Sequence, residues 1–176
     1  MSSPSSQQGS QQGSQQGSQR HLIHIEAPRE QVWAALTDPD LTERIGCGGR
    51  VEVVLEPGGP YWAHTTDAMK RRGLGDVAVT GSVVAVDPPR LLTLDWRATW
   101  HDEPASRVTW QIDEGPAGVS RVTLTHELPE SPLTAADVAG TDEVEAGGGG
   151  WPWELSSLKT LLETGRPMAG AGAQPD

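Results

Sequence analysis

Hydrophobic and polar positions change their period several times between Arg20 and Gly165, and each change marks an element. His21–Ala27 reads as a short strand closed by Pro28. Arg29–Leu36 reads as a helix, because Val32, Trp33 and Leu36 share one face at helical spacing. Pro39 interrupts it, and Asp38 is a suitable cap for a second short helix, Pro39–Ile45. The period then falls to two. Strands are expected at Arg50–Glu56, Tyr61–Ala68, Asp76–Asp87, Leu91–Trp100, Arg107–Glu114 and Ser120–Leu128, separated by Pro and Gly turns and, after Ala68, by a basic hairpin tip, Lys70-Arg-Arg-Gly73. The alternation is cleanest where Leu92, Leu94, Trp96, Ala98 and Trp100 share one face, and where Val122, Leu124, His126 and Leu128 do. Such strands fit antiparallel hairpins with one apolar and one polar face.

Pro129–Gly150 breaks this rhythm. From Glu130 to Glu154 it offers six acids and no base, with four glycines at Gly147–Gly150, and reads as a long mobile connection of the kind that often serves function. Helical spacing returns over Pro152–Thr164, where Trp151, Leu155, Leu158 and Leu162 form a stripe while Glu154, Ser157 and Lys159 point elsewhere; Gly165 stops the helix. The predicted order is strand, two short helices, six strands and one long helix. Residues 1–19, with three copies of Gln-Gln-Gly-Ser, and residues 166–176 are too polar or too poor in apolar surface to offset their ordering entropy and are expected to be disordered tails. Residues 20–165 form the single expected domain.

Charge and composition narrow the function classes. The chain of 176 residues carries 13 Lys+Arg against 24 Asp+Glu, a formal charge of −11, which argues against nucleic-acid binding or an anionic membrane surface. No apolar run reaches the roughly 18 residues of a membrane span. The opening Met-Ser-Ser-Pro lacks the basic and apolar regions of a secretory leader, and a lone Cys47 cannot form an internal disulfide, so a cytoplasmic protein is expected. Seven Trp, one Tyr and no Phe make an unusual aromatic inventory, able either to fill a core or to line a cavity.

The element order is that of an α+β helix-grip fold, a curved antiparallel sheet around a long C-terminal helix with two short helices after the first strand. Residues support the order. Ala27-Pro-Arg-Glu-Gln-Val-Trp-Ala-Ala-Leu-Thr-Asp-Pro39 resembles the opening of the SRPBCC (START/Bet v 1-like) superfamily, and more closely of the family named after the activator of Hsp90 ATPase. Pro57-Gly-Gly-Pro-Tyr61, Gly81–Trp96, Thr123-Leu-Thr-His-Glu127 and Gly150-Trp151 before the Leu stripe agree. One departure is Arg44-Ile-Gly-Cys47, where members usually carry a Trp. The Trp-rich interior also resembles the START-like self-resistance proteins of enediyne producers, of calicheamicin type. That resemblance implies binding of the drug and cleavage of the protein in its place, after the activated diradical takes hydrogen from a backbone glycine.

Such a fold leaves an apolar cavity between sheet and helix, suited to a hydrophobic or polycyclic small molecule. Trp96, Trp100, Trp110, Trp151, Tyr61 and His126 are the candidate ligand contacts; Tyr61 and His64 lie on opposite faces of their strand, so at most one enters. His126 is either a satisfied core histidine or, in an enzyme such as a polyketide cyclase or aromatase, the general base. Gly81, Gly118 and Gly147–Gly150 are candidate cleavage sites, since a glycine Cα radical is stabilised by its flanking amides and open to close approach. Catalytic templates otherwise fail: the five His lack metal-ligand spacing, no Gly-x-Ser-x-Gly elbow occurs, and Cys47 has no base near it in sequence. No cofactor or metal is expected, and the chain is expected to be a monomer or homodimer. A chaperone-partner role rests on the family's name alone, which is weak ground for function.

Overall fold

The computed structural model describes residues 17–45, 49–141 and 149–168. Seven strands, β1 (Ser18–Ile25), β2 (Val51–Val53), β3 (Pro60–His64), β4 (Val77–Asp87), β5 (Leu91–Ala98), β6 (Ser106–Glu114) and β7 (Ser120–Glu127), form one antiparallel sheet in the order β1-β7-β6-β5-β4-β3-β2. The helices are α1 (Arg29–Thr37), α2 (Pro39–Ile45), α3 (Asp67–Arg71), α4 (Pro132–Val138) and α5 (Gly150–Thr164). This is the expected helix-grip arrangement. Register breaks at Ala63/His64 and Val83/Ala85 add the twist that bulges give, curving the sheet toward α5.

The alternation of β5 and β6 translates directly into layers. Leu92, Leu94 and Trp96 pair across the ladder with Trp110, Val108 and Ser106, and these side chains are buried on the inner face. Above them α5 buries Trp151, Leu155, Leu158 and Leu161. Leu161, rather than the expected Leu162, completes the buried stripe, and Ser157 is fully buried with its hydroxyl donating to the Ile45 carbonyl at 2.6 Å. The Gly165 cap stands as predicted, in the left-handed region at φ 72° with its N–H on the Leu161 carbonyl. Asp38 also caps α2, its Oδ1 accepting from the Asp40 N–H at 2.9 Å.

Four expectations are corrected. β1 starts at Ser18, inside the segment assigned to the tail, because Gly17 is already held by the Leu128 N–H on its carbonyl. β2 is shorter than Arg50–Glu56, since the chain turns tightly at Gly59. β3 ends at His64 and gives way to α3, whose Thr66 cap hydroxyl accepts from the Met69 N–H. Lys70-Arg-Arg72 is therefore the end of a helix rather than a hairpin tip, with Lys70 paired to Asp76 at 3.1 Å. Finally, the expected irregular connection after Pro129 contains α4, its Pro132 at the first turn and its free N–H groups met by Glu103.

Candidate functional site: an indole-walled cavity

Between the inner sheet face, α2, α3, α4 and α5 lies a cavity of about 480 Å³. Its walls are set by the register. β5 and β6 direct Trp96 and Trp110 inward, β3 adds Tyr61, and the first turn of α5 adds Trp151 and Trp153. Trp151 stands at the centre of the aromatic packing, 6.0 Å from the Trp96 ring and 5.8 Å from Trp110, the latter edge to face. Trp100, just beyond β5, forms part of the rim; its indole N–H donates to Asp137 Oδ2 at 2.8 Å, and His101 Nε2 approaches the same oxygen at 2.6 Å. Five of the seven Trp thus face the cavity.

The candidate contacts Tyr61, Trp96, Trp100, Trp110 and Trp151 all line the cavity. His64 does not; it lies 3.5 Å from Glu52, which leaves Tyr61 as the inward residue of that strand. His126 is corrected: it is fully buried but sits behind the wall. Its Nδ1 accepts from the Trp151 indole N–H at 3.0 Å, so Nε2 carries the proton and donates to Ser106 Oγ at 2.7 Å. Ser106 in turn donates to the Trp96 carbonyl at 3.1 Å. Burial lowers the His126 pKa to about 4. It is a neutral core histidine that fixes Trp151, and it offers no free nitrogen to a ligand.

The glycines separate as sharply. Gly81 pairs with Tyr61 and Trp96 but is not part of the wall; a Cβ there would fall 2.0 Å from the Asp95 carbonyl oxygen, so the strand requires glycine for packing. Gly118 occupies the open turn between β6 and β7, away from the cavity wall, and is corrected. Gly147 and Cys47 lie outside the described residues. Gly149 and Gly150 do line the cavity, at φ 62° and 68°, where L side chains are strained. A Cβ on Gly150 would also fall 2.5 Å from the Val138 carbonyl oxygen, so glycine lets the start of α5 pass close to the end of α4.

Trp153 and Glu154, both on the wall, escape the sequence reading. Glu154 faces the cavity, not solvent. It is half-buried, and desolvation pushes its pKa up to about 7. Tyr61 is raised as well, by burial first and then by the Glu154 charge. A signal exists: Trp151, Glu154, Leu155 and Leu158 fit the i, i+3, i+4, i+7 template of one helix face.

The pattern of the activator of Hsp90 ATPase homolog 1-like proteins matches residues 26–163. The chain belongs to that family. No curated protein matches it in sequence. Among solved structures, CalU16 from Micromonospora echinospora is similar at 21% identity and a TM-score of 0.61, covering 86% of this chain and 77% of its own. DynU16, of the dynemicin biosynthetic locus, is similar at 25% identity and a TM-score of 0.64 over 86% of this chain, which spans about half (49%) of DynU16. An HSP90 activator from Plasmodium falciparum aligns at 19% identity and a TM-score of 0.53, over 68% of this chain and 84% of its own. Among the described residues no helix is long and apolar enough to cross a membrane, and no group of three or more His, Cys, Asp or Glu could hold a metal ion.

Proposed function

We propose that this family member binds a polycyclic natural product in the indole-walled cavity and protects its host by sequestering it, in the manner of enediyne self-resistance proteins. The observation that carries the reading is the cavity itself: about 480 Å³ walled by Trp96, Trp110, Trp151, Trp153 and Tyr61, with few polar groups to fix orientation. The likeness to DynU16, a protein of the dynemicin biosynthetic locus, supports the ligand class. In the self-sacrifice step an aryl diradical of the activated drug takes a glycine Cα hydrogen, forming a C–H bond on the drug. The second radical centre takes hydrogen from the thiol reductant that activates the drug. The Cα radical left behind adds dioxygen, the peroxyl radical takes a hydrogen from the same thiol, and collapse of the resulting Cα hydroperoxide cuts the backbone. Gly49, Gly149 and Gly150 are the glycines of the wall, and the last two, which close the glycine run 147–150, are taken as the targets.

Intact mass measurement with dynemicin, before and after reductive activation, tests this. The expected result is a one-to-one complex without turnover, then scission at Gly149 or Gly150. No complex, or scission elsewhere, as at Gly49, Gly81 or Gly118, would contradict it.

A second reading, a polyketide cyclase or aromatase, is favoured by one feature, the carboxyl of Glu154 facing Tyr61's side of the cavity with a pKa near neutrality. With His126 sealed behind Trp151, the acid–base role passes to Glu154. Product formation from an aromatic polyketide, lost in Glu154→Gln, would establish it.

A further inference from the structure

Glu154 is anomalous for a group so placed. A carboxyl set into an apolar wall is normally paired or hydrogen-bonded. Among the described residues Glu154 has neither an ion-pair nor a hydrogen-bond partner, and burial alone displaces its titration. The other charged groups of the cavity wall are already engaged. Asp137, from α4, accepts from Trp100 and meets His101, while Arg72, beyond α3, has an interaction of its own. His126 is shielded by Trp151. Of the charged groups Glu154 remains, sharing the wall with Tyr61, whose titration feels its charge, and with indole rings whose faces carry negative potential.

We propose that Glu154 and the surrounding indoles seat an ammonium group, so that the cavity selects polycyclic ligands carrying an aliphatic amine. This rests on the cavity-binding reading and adds the ligand's charge to it. Both components favour a cation: the carboxylate gives a charge-assisted hydrogen bond, and the Trp faces add cation–π attraction once water is displaced. Binding below neutral pH releases the Glu154 proton to solvent, because the ammonium stabilises the carboxylate; in more alkaline solution the carboxylate is already formed and no proton leaves it.

The test uses the full chain and two probes of one shape, anthracenylmethylamine and anthracenylmethanol, read by quenching of Trp fluorescence at neutral pH. The amine should bind about tenfold more tightly than the alcohol. Glu154→Gln should erase that preference while leaving the alcohol's affinity within about twofold. Where that variant fails to fold, the N-acetylated amine on the natural chain serves instead, and should bind like the alcohol. Equal binding of amine and alcohol, or a preference that survives in Glu154→Gln, overturns the ammonium seat and leaves the cavity reading intact. Failure of both probes to bind overturns the cavity reading and this proposal with it.

Discussion

Trp151 stands between two ionisable groups that burial perturbs, one sealed in the core and one on the cavity wall, and their circumstances are opposite. On the sheet side, His126 has each ring nitrogen engaged, by the Trp151 indole and the Ser106 hydroxyl, within a chain of hydrogen bonds that ends on the Trp96 carbonyl. On the cavity side, Glu154 has no partner among the described residues. Burial favours the neutral form in both cases, lowering His126 to about 4 and raising Glu154 to about 7. A polar group whose hydrogen-bonding capacity is filled contributes to a unique packing. One left unfilled at the edge of a cavity costs stability that a ligand can return.

The most severe way to break the comparison is Trp151→Ala. It removes the ring shared by both sides and leaves His126 Nδ1 without its donor, and should cost about 4 kcal/mol in urea unfolding. Ligand affinity should fall with it, since the wall is lost.

Next comes the pH dependence, where the two groups act with opposite sign. The folded His126 binds fewer protons than the unfolded chain between about pH 4 and its model-peptide value of 6.5, so its contribution to stability is lost as pH falls through that window. The folded Glu154 binds more protons between 4.5 and about 7, so stability is lost as pH rises. Each effect is roughly 3 kcal/mol across its full window, less for Glu154 where cavity water screens it. Their slopes oppose one another where the windows overlap. Glu154→Gln should therefore leave stability unchanged near about pH 4, raise it by about 2 kcal/mol near about pH 8, and expose the rising His126 slope between. Carboxylates held low by hydrogen bonds and ion pairs, such as Asp113 with Arg121, are common to both proteins and cancel in the difference.

Ser106→Ala sharpens the contrast from the other side. Removing the acceptor of the His126 Nε2 proton strands a buried donor and should destabilise by about 1–2 kcal/mol, whereas neutralising the unpartnered carboxyl stabilises. Equilibrium unfolding of the two variants at about pH 8 should thus move the midpoint in opposite directions.

The smallest effect is expected at Glu103, whose carboxylate accepts from the Leu133 and Thr134 N–H groups and the Thr134 hydroxyl at the start of α4. Burial opposes its ionisation, but those hydrogen bonds outweigh burial and hold its pKa below the usual range. Glu103→Ala should lower the unfolding midpoint only slightly, by the loss of that helix cap. Hydrogen exchange should show the loss concentrated in α4.

The same two groups mark how far sequence reasoning reaches. Elements with a sustained period are legible: β5 to β7, α1, α2 and α5 emerge from alternation or helical spacing, and the indoles of Trp96, Trp110 and Trp151 from their faces. α3 and α4 are not. α3 has five residues, and α4, though as long as α2, buries Thr134 and Val138 rather than an apolar stripe, although Thr66 and the Ser131-Pro132 pair carry capping signals. Alternation puts His126 on the correct face, but its role depends on Trp151 and Ser106, residues far from it in the chain. Glu154 reads as pointing away from the core because acids normally do, and only the three-dimensional wall shows that its helix face meets a cavity there.

The central claim is that Glu154 is the unpaired, ligand-accepting group and His126 the saturated, structural one. A pH titration by NMR of the Glu154 side-chain carbon and the His126 ring nitrogens, with and without anthracenylmethylamine, tests it directly. The account predicts a Glu154 midpoint near 7 that drops when the amine binds. It predicts a His126 ring that stays neutral, with its proton on Nε2, down to about pH 4 in both samples. A Glu154 midpoint in the ordinary carboxylate range, unmoved by the amine, with His126 titrating near 6.5, would contradict it.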